Sequence, residues 1–411
     1  MSKEEFLQGF TPLSFLKLRF GWGRNGNEAI GAFKYTSLIG SGSKYTFGTD
    51  EVITLGSNPV GISNPDLKWE TSEQTNVGVD ARFLSDKLTF TLDLYNKKTK
   101  DLLVVAPIPG YIGNAAPTVN GGSVSNKGIE FELGYKTLIN DLGINANLSG
   151  AYNKNEVLSI NNSEGKIYGA GLAVGMYNIC VMETGYPIAY FWGYKTAGVF
   201  QNEQQIQNYK SSDGTVIQPN AKPGDLIWVD KNDDGTIDDK DRTMIGNPYP
   251  DFTLGINLGL TYKDFDFNMF WYGAFGQEIF KGTRRYDLPM SNWDASVLER
   301  WTGEGTSNSH PRVTINDPNQ NYFRVSDFYI EDGSFLRLKN ITLGYTLPQK
   351  FSQKVKISKL RIYATAVNLL TFTKYSGFDP EIGAKWALDV GIDRNIYPQP
   401  RTFMFGVNLS F

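Results

Sequence analysis

Residues 401–411 read RTFMFGVNLSF. Phe403, Phe405, Val407, Leu409 and Phe411 take the odd positions. Thr402, Met404, Gly406, Asn408 and Ser410 take the even ones. Successive side chains of a strand point to opposite faces, so this period of two predicts a strand with one apolar face and one small or polar face. The alternation recurs upstream. LKLRFGW sets Leu16, Leu18, Phe20 and Trp22 against Lys17, Arg19 and Gly21. TNVGVDARF sets Val77, Val79, Ala81 and Phe83 against Asn76, Asp80 and Arg82. LTFTLDLY (88–95), GIEFELGY (128–135), GINANLSGAY (143–152), FTLGINLGLTY (252–262) and FDFNMFW (265–271) repeat the pattern. Further strands are expected at about 334–347 and 357–370. In the first of these the apolar parity switches between Leu338 and Ile341, which predicts a bulge.

Composition agrees. The 411 residues include 43 Gly, 26 Phe, 22 Tyr and 8 Trp, a β-rich inventory with many turns. Net charge is −3, which gives no reason to expect a nucleic-acid partner. No apolar run is long enough for a transmembrane helix. The single cysteine, Cys180, excludes an internal disulfide framework, and the single histidine, His310, removes most hydrolase triads. The start, MSKEEFLQGF, shows no signal peptide. The expectation is a piece of something longer.

A soluble sandwich and an outer-membrane barrel both alternate. Two signs favour the barrel. The strands run to about 10–13 residues, against about 5–6 in soluble sheets. Aromatics (Trp22, Phe83, Tyr95, Tyr135, Tyr152, Tyr262, Trp271, Tyr345) gather at strand ends, where a barrel sets its girdles. Connection lengths point the same way. Short turns at about 84–86, 139–142, 263–264 and 348–356 alternate with long loops at about 25–72, 100–125, 155–250, 278–333 and 371–400. Barrels keep short turns on the periplasmic side and long loops outside. That order puts the strand-like GYPIAYFWGYKTAGVF (185–200) inside an outer loop. The expected fold is all-β, an antiparallel transmembrane barrel portion of about ten strands. Its expected organisation is barrel strands and loops over 1–154, an extracellular lobe over 155–250, and barrel strands and loops over 251–411. The first strand would otherwise be an open edge, costly in lipid.

The chain resembles the C-terminal part of SusC/RagA-type TonB-dependent outer-membrane transporters. The carriers are LKLRFGWGRNGN, NPDLKWETSEQTNVGVD (64–80), YNKKTKDLL (95–103), NKGIEFELGY (126–135), GYPIAYFWGYKTAGVFQ (185–201), GDLIWVDKNDDGTIDDKDRTMIGNPYPDFTLGINL (224–258), SFLRLKNITLGYTLP (334–348) and the terminal strand. The resemblance implies a 22-stranded barrel with an N-terminal plug and a TonB box, in a Gram-negative outer membrane. It implies uptake of oligosaccharides or peptides under a SusD-like surface lipoprotein, with TonB as the energising partner. It also makes Phe411 the signal read by the barrel-assembly machinery. The plug, the TonB box and the first dozen or so strands are not in this sequence.

One segment carries readable chemistry. DKNDDGTIDDKD (230–241) sets Asp230, Asn232 and Asp234 at positions 1, 3 and 5 of a calcium loop. Gly235 falls at the sharp turn, Thr236 offers its carbonyl at 7, Asp238 sits at 9 and Asp241 at 12. Alternate oxygen ligands around one tight turn suit a hard cation. The preceding LIWV reads as a strand, so the loop lies outside an EF-hand. The bland alternative is an acidic surface turn. The expected cofactor is structural calcium, held in the weak extracellular range of about 10⁻⁴–10⁻³ M or somewhat tighter.

Other residues read as structural. His310 is expected as a solvated loop residue and Cys180 as a small apolar packer. Lys97, Lys98 and Lys100 form a solvated rim at a strand's outer end. Tyr190, Trp192 and Tyr194 share one face and are expected to fill the lobe's core. GSGSKY (40–45) lacks the spacing of a phosphate loop. No catalytic constellation stands out, so no enzyme is expected. The functional expectation is the barrel portion of a nutrient importer. The alternative is a calcium-stabilised surface-binding barrel without transport.

Overall fold

The computed structural model describes residues 12–27, 33–106, 110–169, 171–172, 176–284, 291–352 and 357–411. Ten strands build one antiparallel sheet: β1 (Leu13–Asn27), β2 (Glu70–Phe83), β3 (Leu88–Lys100), β4 (Gly122–Ile139), β5 (Leu142–Ile160), β6 (Phe252–Tyr262), β7 (Phe265–Phe275), β8 (Phe335–Thr346), β9 (Lys359–Thr373) and β10 (Thr402–Ser410). Each pairs with the next in chain order, an up-and-down meander. Among the described residues the sheet is open, with β1 and β10 as its two edges. This is a partial barrel.

Register joins the apolar faces of all ten strands. Residues directly opposite in a ladder share a face. One row runs Ala81, Phe90, Leu133, Leu148, Ile256, Trp271, Leu338, Leu370. Another begins Phe20, Val77, Leu94, Ile129, Tyr152. A slip of one residue anywhere would drop a polar stripe into the apolar side. Phe20 is 76% exposed and Phe405 87%, so this face turns outward, away from any protein core. That arrangement suits lipid and contradicts a sandwich.

The expected parity switch is a bulge. The β7–β8 ladder shifts between Phe270/Trp271, and the β8–β9 ladder between Leu338/Asn340. Lys339 is the extra residue against β7, and its ammonium reaches Glu381 Oε1 at 2.6 Å; against β9 the extra residue lies on β9, between Val367 and Leu370, where Asn368 has φ +54°.

Tight turns follow Phe83, Ile139 and Tyr262, with Leu84, Asn140 and Lys263 at positive φ. The fourth short connection includes a helix, Gln349–Ser352, and its residues 353–356 lie outside the described residues. Short and long connections alternate as expected. Phe83, Tyr135, Tyr262 and Tyr345 ring the short-turn end on the apolar face. Tyr95 departs from the expectation. It has the inward parity, and its hydroxyl donates to Asn153 Oδ1 at 2.9 Å, so it lines the lumen and is not a girdle residue.

Segment 185–200 lies in the outer lobe, as short strands Tyr190–Gly193 and Thr196–Val199. The lobe's core also takes residues from beyond 155–250. Ile179, Cys180, Phe191 and Ile245 pack with Phe280, Val325 and Tyr329 of the 276–334 connection and Ile392 of the 374–401 connection. A three-stranded sheet of Glu278–Lys281, Ile330–Asp332 and Ile392–Asp393 ties those two connections together.

Candidate functional site: the outer lobe, its acidic loop and the lumen wall

Strand Leu226–Trp228 feeds the acidic loop and is held by side-chain amides on both sides. Gln218 Nε2 donates to the Leu226 carbonyl at 3.0 Å, and the Trp228 N–H donates to Gln218 Oε1 at 2.8 Å. Asn321 Oδ1 accepts the Leu226 N–H at 2.8 Å. Asp225, fully buried, accepts from Arg312 Nε at 2.6 Å and Asn321 Nδ2 at 2.9 Å.

Within the loop Asp230, Asn232, Asp234, Asp238 and Asp241 fold their side chains onto the loop's own backbone. Asp230 accepts from the N–H groups of Asp233 (2.7 Å) and Gly235 (2.9 Å). Asn232 Oδ1 accepts from the Asp234 N–H, and Asp234 Oδ1 from the Thr236 hydroxyl at 2.7 Å and its N–H at 3.1 Å. Asp241, buried, accepts from the N–H groups of Lys231 (2.9 Å) and Asp238 (2.8 Å). Asp238 caps the 3₁₀ turn Asp239–Asp241. Gly235 turns with φ +79°, a conformation that suits glycine. The Thr236 hydroxyl and the Asn232 amide hold the Asp234 carboxyl down at about 2. Lys240 reaches Asp234 and Asp238 at 3.5 and 3.6 Å, and the two carboxylates raise its pKa. Among the described residues, no three His, Cys, Asp or Glu side chains converge into a ready metal-binding group. A carboxylate has about four lone-pair directions, so these amide bonds leave acceptor capacity on the loop.

Beneath the loop lies an aromatic and cationic layer. Tyr190, Trp192 and Tyr194 are all buried, with Tyr190 and Trp192 packed on Val181 and Tyr194 on Trp228. Phe191, between them, fills the main lobe core from the other face, so the segment is covered on both sides. The Arg242 guanidinium stacks 3.7 Å from the Trp192 ring centroid and that of Arg324 lies 4.6 Å from the Tyr194 centroid. Burial lowers both arginine pKa values. Arg324 Nη2 donates to the Ile237 carbonyl at 3.4 Å, so this layer touches the acidic loop directly. The sequence reading missed Arg324, because 87 residues separate it from its partner.

The lumen wall is polar and internally bonded. Arg19 Nε donates to Asp80 Oδ2 and Nη2 to Asp93 Oδ2, both at 2.8 Å, joining β1, β2 and β3. Arg361 Nε donates to Asp266 Oδ1 at 2.8 Å. Asn126 Oδ1 accepts from Asn153 and Asn155. Higher up, buried Arg337 bonds Asp379 Oδ1 at 2.7 Å and also contacts Glu381, latching the 374–401 connection to β8.

The remaining expected residues fall as follows. His310 is half-buried in its loop, and its ring meets Phe328 edge-on at 5.7 Å. Cys180 is buried in the lobe core, and burial pushes its thiol up to about 12. Lys100 pairs with Glu73 at 2.6 Å on the β2–β3 ladder. Phe411 ends the chain exposed, just past β10.

Comparison with known proteins fits this geometry. Residues 9–369 match the family described as "TonB dependent receptor-like, beta-barrel". The chain is 32% identical over 422 residues to TonB-dependent receptor P3 of Formosa agariphila, covering 100% of this chain and 41% of that protein. It is 32% identical over 421 residues to TonB-dependent receptor SusC of Bacteroides thetaiotaomicron, covering 100% of this chain and 39% of that one. Among solved structures, it superposes on the RagAB peptide transporter with a TM-score of 0.79 at 26% identity, covering 99% of this chain and 42% of that one. The chain thus spans about two fifths of the length of these relatives. It belongs to the TonB dependent receptor-like β-barrel family and corresponds to a C-terminal part of a SusC/RagA-type receptor.

Proposed function

We propose that this chain forms barrel wall and outer lobe of a TonB-dependent importer of oligosaccharides or peptides in a Gram-negative outer membrane. The observation that carries the reading is the two-sided sheet. One face is apolar and exposed to the surroundings, and the other is a hydrogen-bonded polar wall able to pass hydrophilic solutes. A plug and a TonB box, contributed by sequence outside this chain, would couple import to TonB. A SusD-like surface lipoprotein would cover the outer lobe. The chain's own role is positional: it shapes the lumen and holds the loops that meet the substrate, without a catalytic step.

The test is uptake. The source bacterium, with and without the gene, is grown on defined oligosaccharides and on peptides as nutrients. A growth defect on one class, repeated when TonB is inactivated, supports import and names the substrate. Normal growth on both, with the receptor intact in the outer membrane, favours a display barrel.

The acidic loop is proposed as a structural calcium site, with Asp230, Asn232, Asp234, Asp238 and Asp241 side chains and the Thr236 carbonyl as ligands. The register of all six positions and the left-handed Gly235 support it. The ion would lower the loop's entropy and stiffen the lobe above the lumen. Calorimetric titration of the receptor, wild type against Asp230→Ala, tests it; no calcium-specific heat in the wild type removes the site.

A further inference from the structure

Strand β9 carries two consecutive small residues on its outward face, Ala364 and Ala366, and its neighbours set large ones beside them. Ala364 lies directly between Leu343 of β8 and Phe405 of β10; Ala366 lies between Ile341 and Phe403. Directly paired side chains stand about 5 Å apart, so the alanines floor a trench that the four larger residues wall. The trench opens into a groove of about 530 Å³, lined almost wholly by apolar groups, that reaches Tyr345 and Ile362. Three of its four walls, Leu343, Phe403 and Phe405, are exposed, Phe405 most of all, so no part of the described chain fills it.

The groove runs toward the short-turn end of the sheet. Lys263 occupies the β6–β7 turn, two residues from Phe265 on the groove's rim, with its ammonium 5.4 Å from the Tyr262 ring centroid. Lys350 sits on the helix Gln349–Ser352, which packs on β9, with its ammonium 5.0 Å from the Phe351 centroid. Asp264, exposed, follows Lys263 in the same turn, and Asp266 is turned inward to Arg361. Two cations and one carboxylate, Asp264, thus stand at the level of the aromatics, where lipid headgroups lie, with the cations in excess. Within a bilayer, apolar burial does not by itself select a ligand, because lipid tails are as apolar as leucine. Selection comes from a fitted linear groove and from charge at the headgroup.

We infer that the trench holds one acyl chain of an anionic phospholipid, with its phosphate met by Lys263 and Lys350. The short-turn end faces the periplasmic leaflet, so the lipid is a phospholipid and not lipopolysaccharide. The inference rests on the outer-membrane reading above.

The whole receptor that contains this chain is purified from outer membranes in mild detergent, delipidated, and titrated with phosphatidylglycerol. Bound lipid is counted by native mass spectrometry, and heat-modifiability on gels reports barrel folding for every variant. The expected result is one tightly held phosphatidylglycerol. Filling the trench with Ala364→Phe and Ala366→Phe lowers its affinity at least tenfold. Lys263→Ala and Lys350→Ala each lower it about fivefold. Phe405→Ala, which removes a wall without adding bulk, weakens it too and serves if the filled variant does not fold. Unchanged retention by folded variants overturns the inference, as does equal displacement by lipopolysaccharide. A wild-type dimer that the filled trench dissolves makes a second copy the occupant instead. A wild type outside the outer-membrane fraction overturns both this inference and the reading beneath it.

Discussion

Gly78 and Gly344 each lie beneath an arginine on the lumen wall. A Cβ on Gly344 would stand 2.5 Å from Arg361 Nη2 and 2.5 Å from Asp266 Oδ1; at Gly78 it would stand 2.5 Å from Asp93 Oδ1 and 2.7 Å from Arg19 Cζ. The missing side chains are what let the ion pairs lie flat. Gly344→Val is therefore expected to displace the Arg361–Asp266 pair and cost about 1–2 kcal/mol. The measurement is the temperature at which the folded gel band converts, which should fall. Asp234 carries the pH dependence of the acidic loop. Its carboxyl has an unfolded value of 3.8 and is held at about 2 in the fold. A depressed carboxyl stabilises above its unfolded value and loses that contribution as pH falls through the folded one. Hydrogen exchange across residues 232–238, corrected for intrinsic rates, should speed up between about pH 4 and pH 2. Asp234→Asn should abolish that step. The pattern of acidic positions was legible in the sequence because all of them sit within twelve residues. The arginine layer below was not, because Arg242 and Arg324 approach Tyr194 from different connections.

At the scale of an element, β8 is the instructive strand. Its alternation breaks at one residue, and the ladders on both sides shift there. Lys339 is accommodated because its side chain finds Glu381. Deleting Lys339 restores an unbroken period of two in β8 and matches it to β7, but widens its mismatch with β9, which already has one residue more than β8 between Val367 and Leu370. The β8–β9 ladder must then absorb two extra β9 residues between Ala366 and Leu370 in place of one. The expected outcome is loss of the heat-modifiable outer-membrane species of the full receptor. Lys339→Ala, which keeps the bulge and removes only the ion pair, should assemble. Equal yields of the two variants would show that the bulge is not required. Strand existence and parity could be read because an exposed apolar face repeats every second residue. The Tyr95 error has a local cause: a strand-end aromatic marks either a girdle or a lumen contact. Only its parity, and Asn153 across the wall, decides.

The whole molecule joins a sheet to a lobe that no single segment builds. Phe280 is fully buried, 5.1 Å from the Tyr329 centroid and 6.1 Å from that of Phe191. These rings come from two different connections and pack beside Ile392 from a third. Phe280→Ala should cost the lobe about 3–5 kcal/mol. Limited proteolysis should then cut the 161–251, 276–334 and 374–401 connections together, with the sheet intact. Cleavage confined to one of them would mean that the lobe does not fold as a unit. The two free edges set the other expectation. Unpaired strand groups in lipid cost several kcal/mol each. Expressed alone with a signal peptide, the 411 residues should aggregate or be degraded, with no heat-modifiable band. A folded monomer would show that ten strands close by themselves.

The sequence by itself determined ten strands, their inward and outward faces, the alternation of short and long connections, and the acidic loop. Each of these is a local property, set by side-chain period, turn chemistry or close spacing. Only the tertiary structure decided that three connections share one lobe core. The same holds for the arginines that sit under the acidic loop and for Arg337, which latches a connection 42 residues away. Those contacts join residues far apart in the chain, and their energies depend on burial and partner geometry, which no single stretch of sequence encodes.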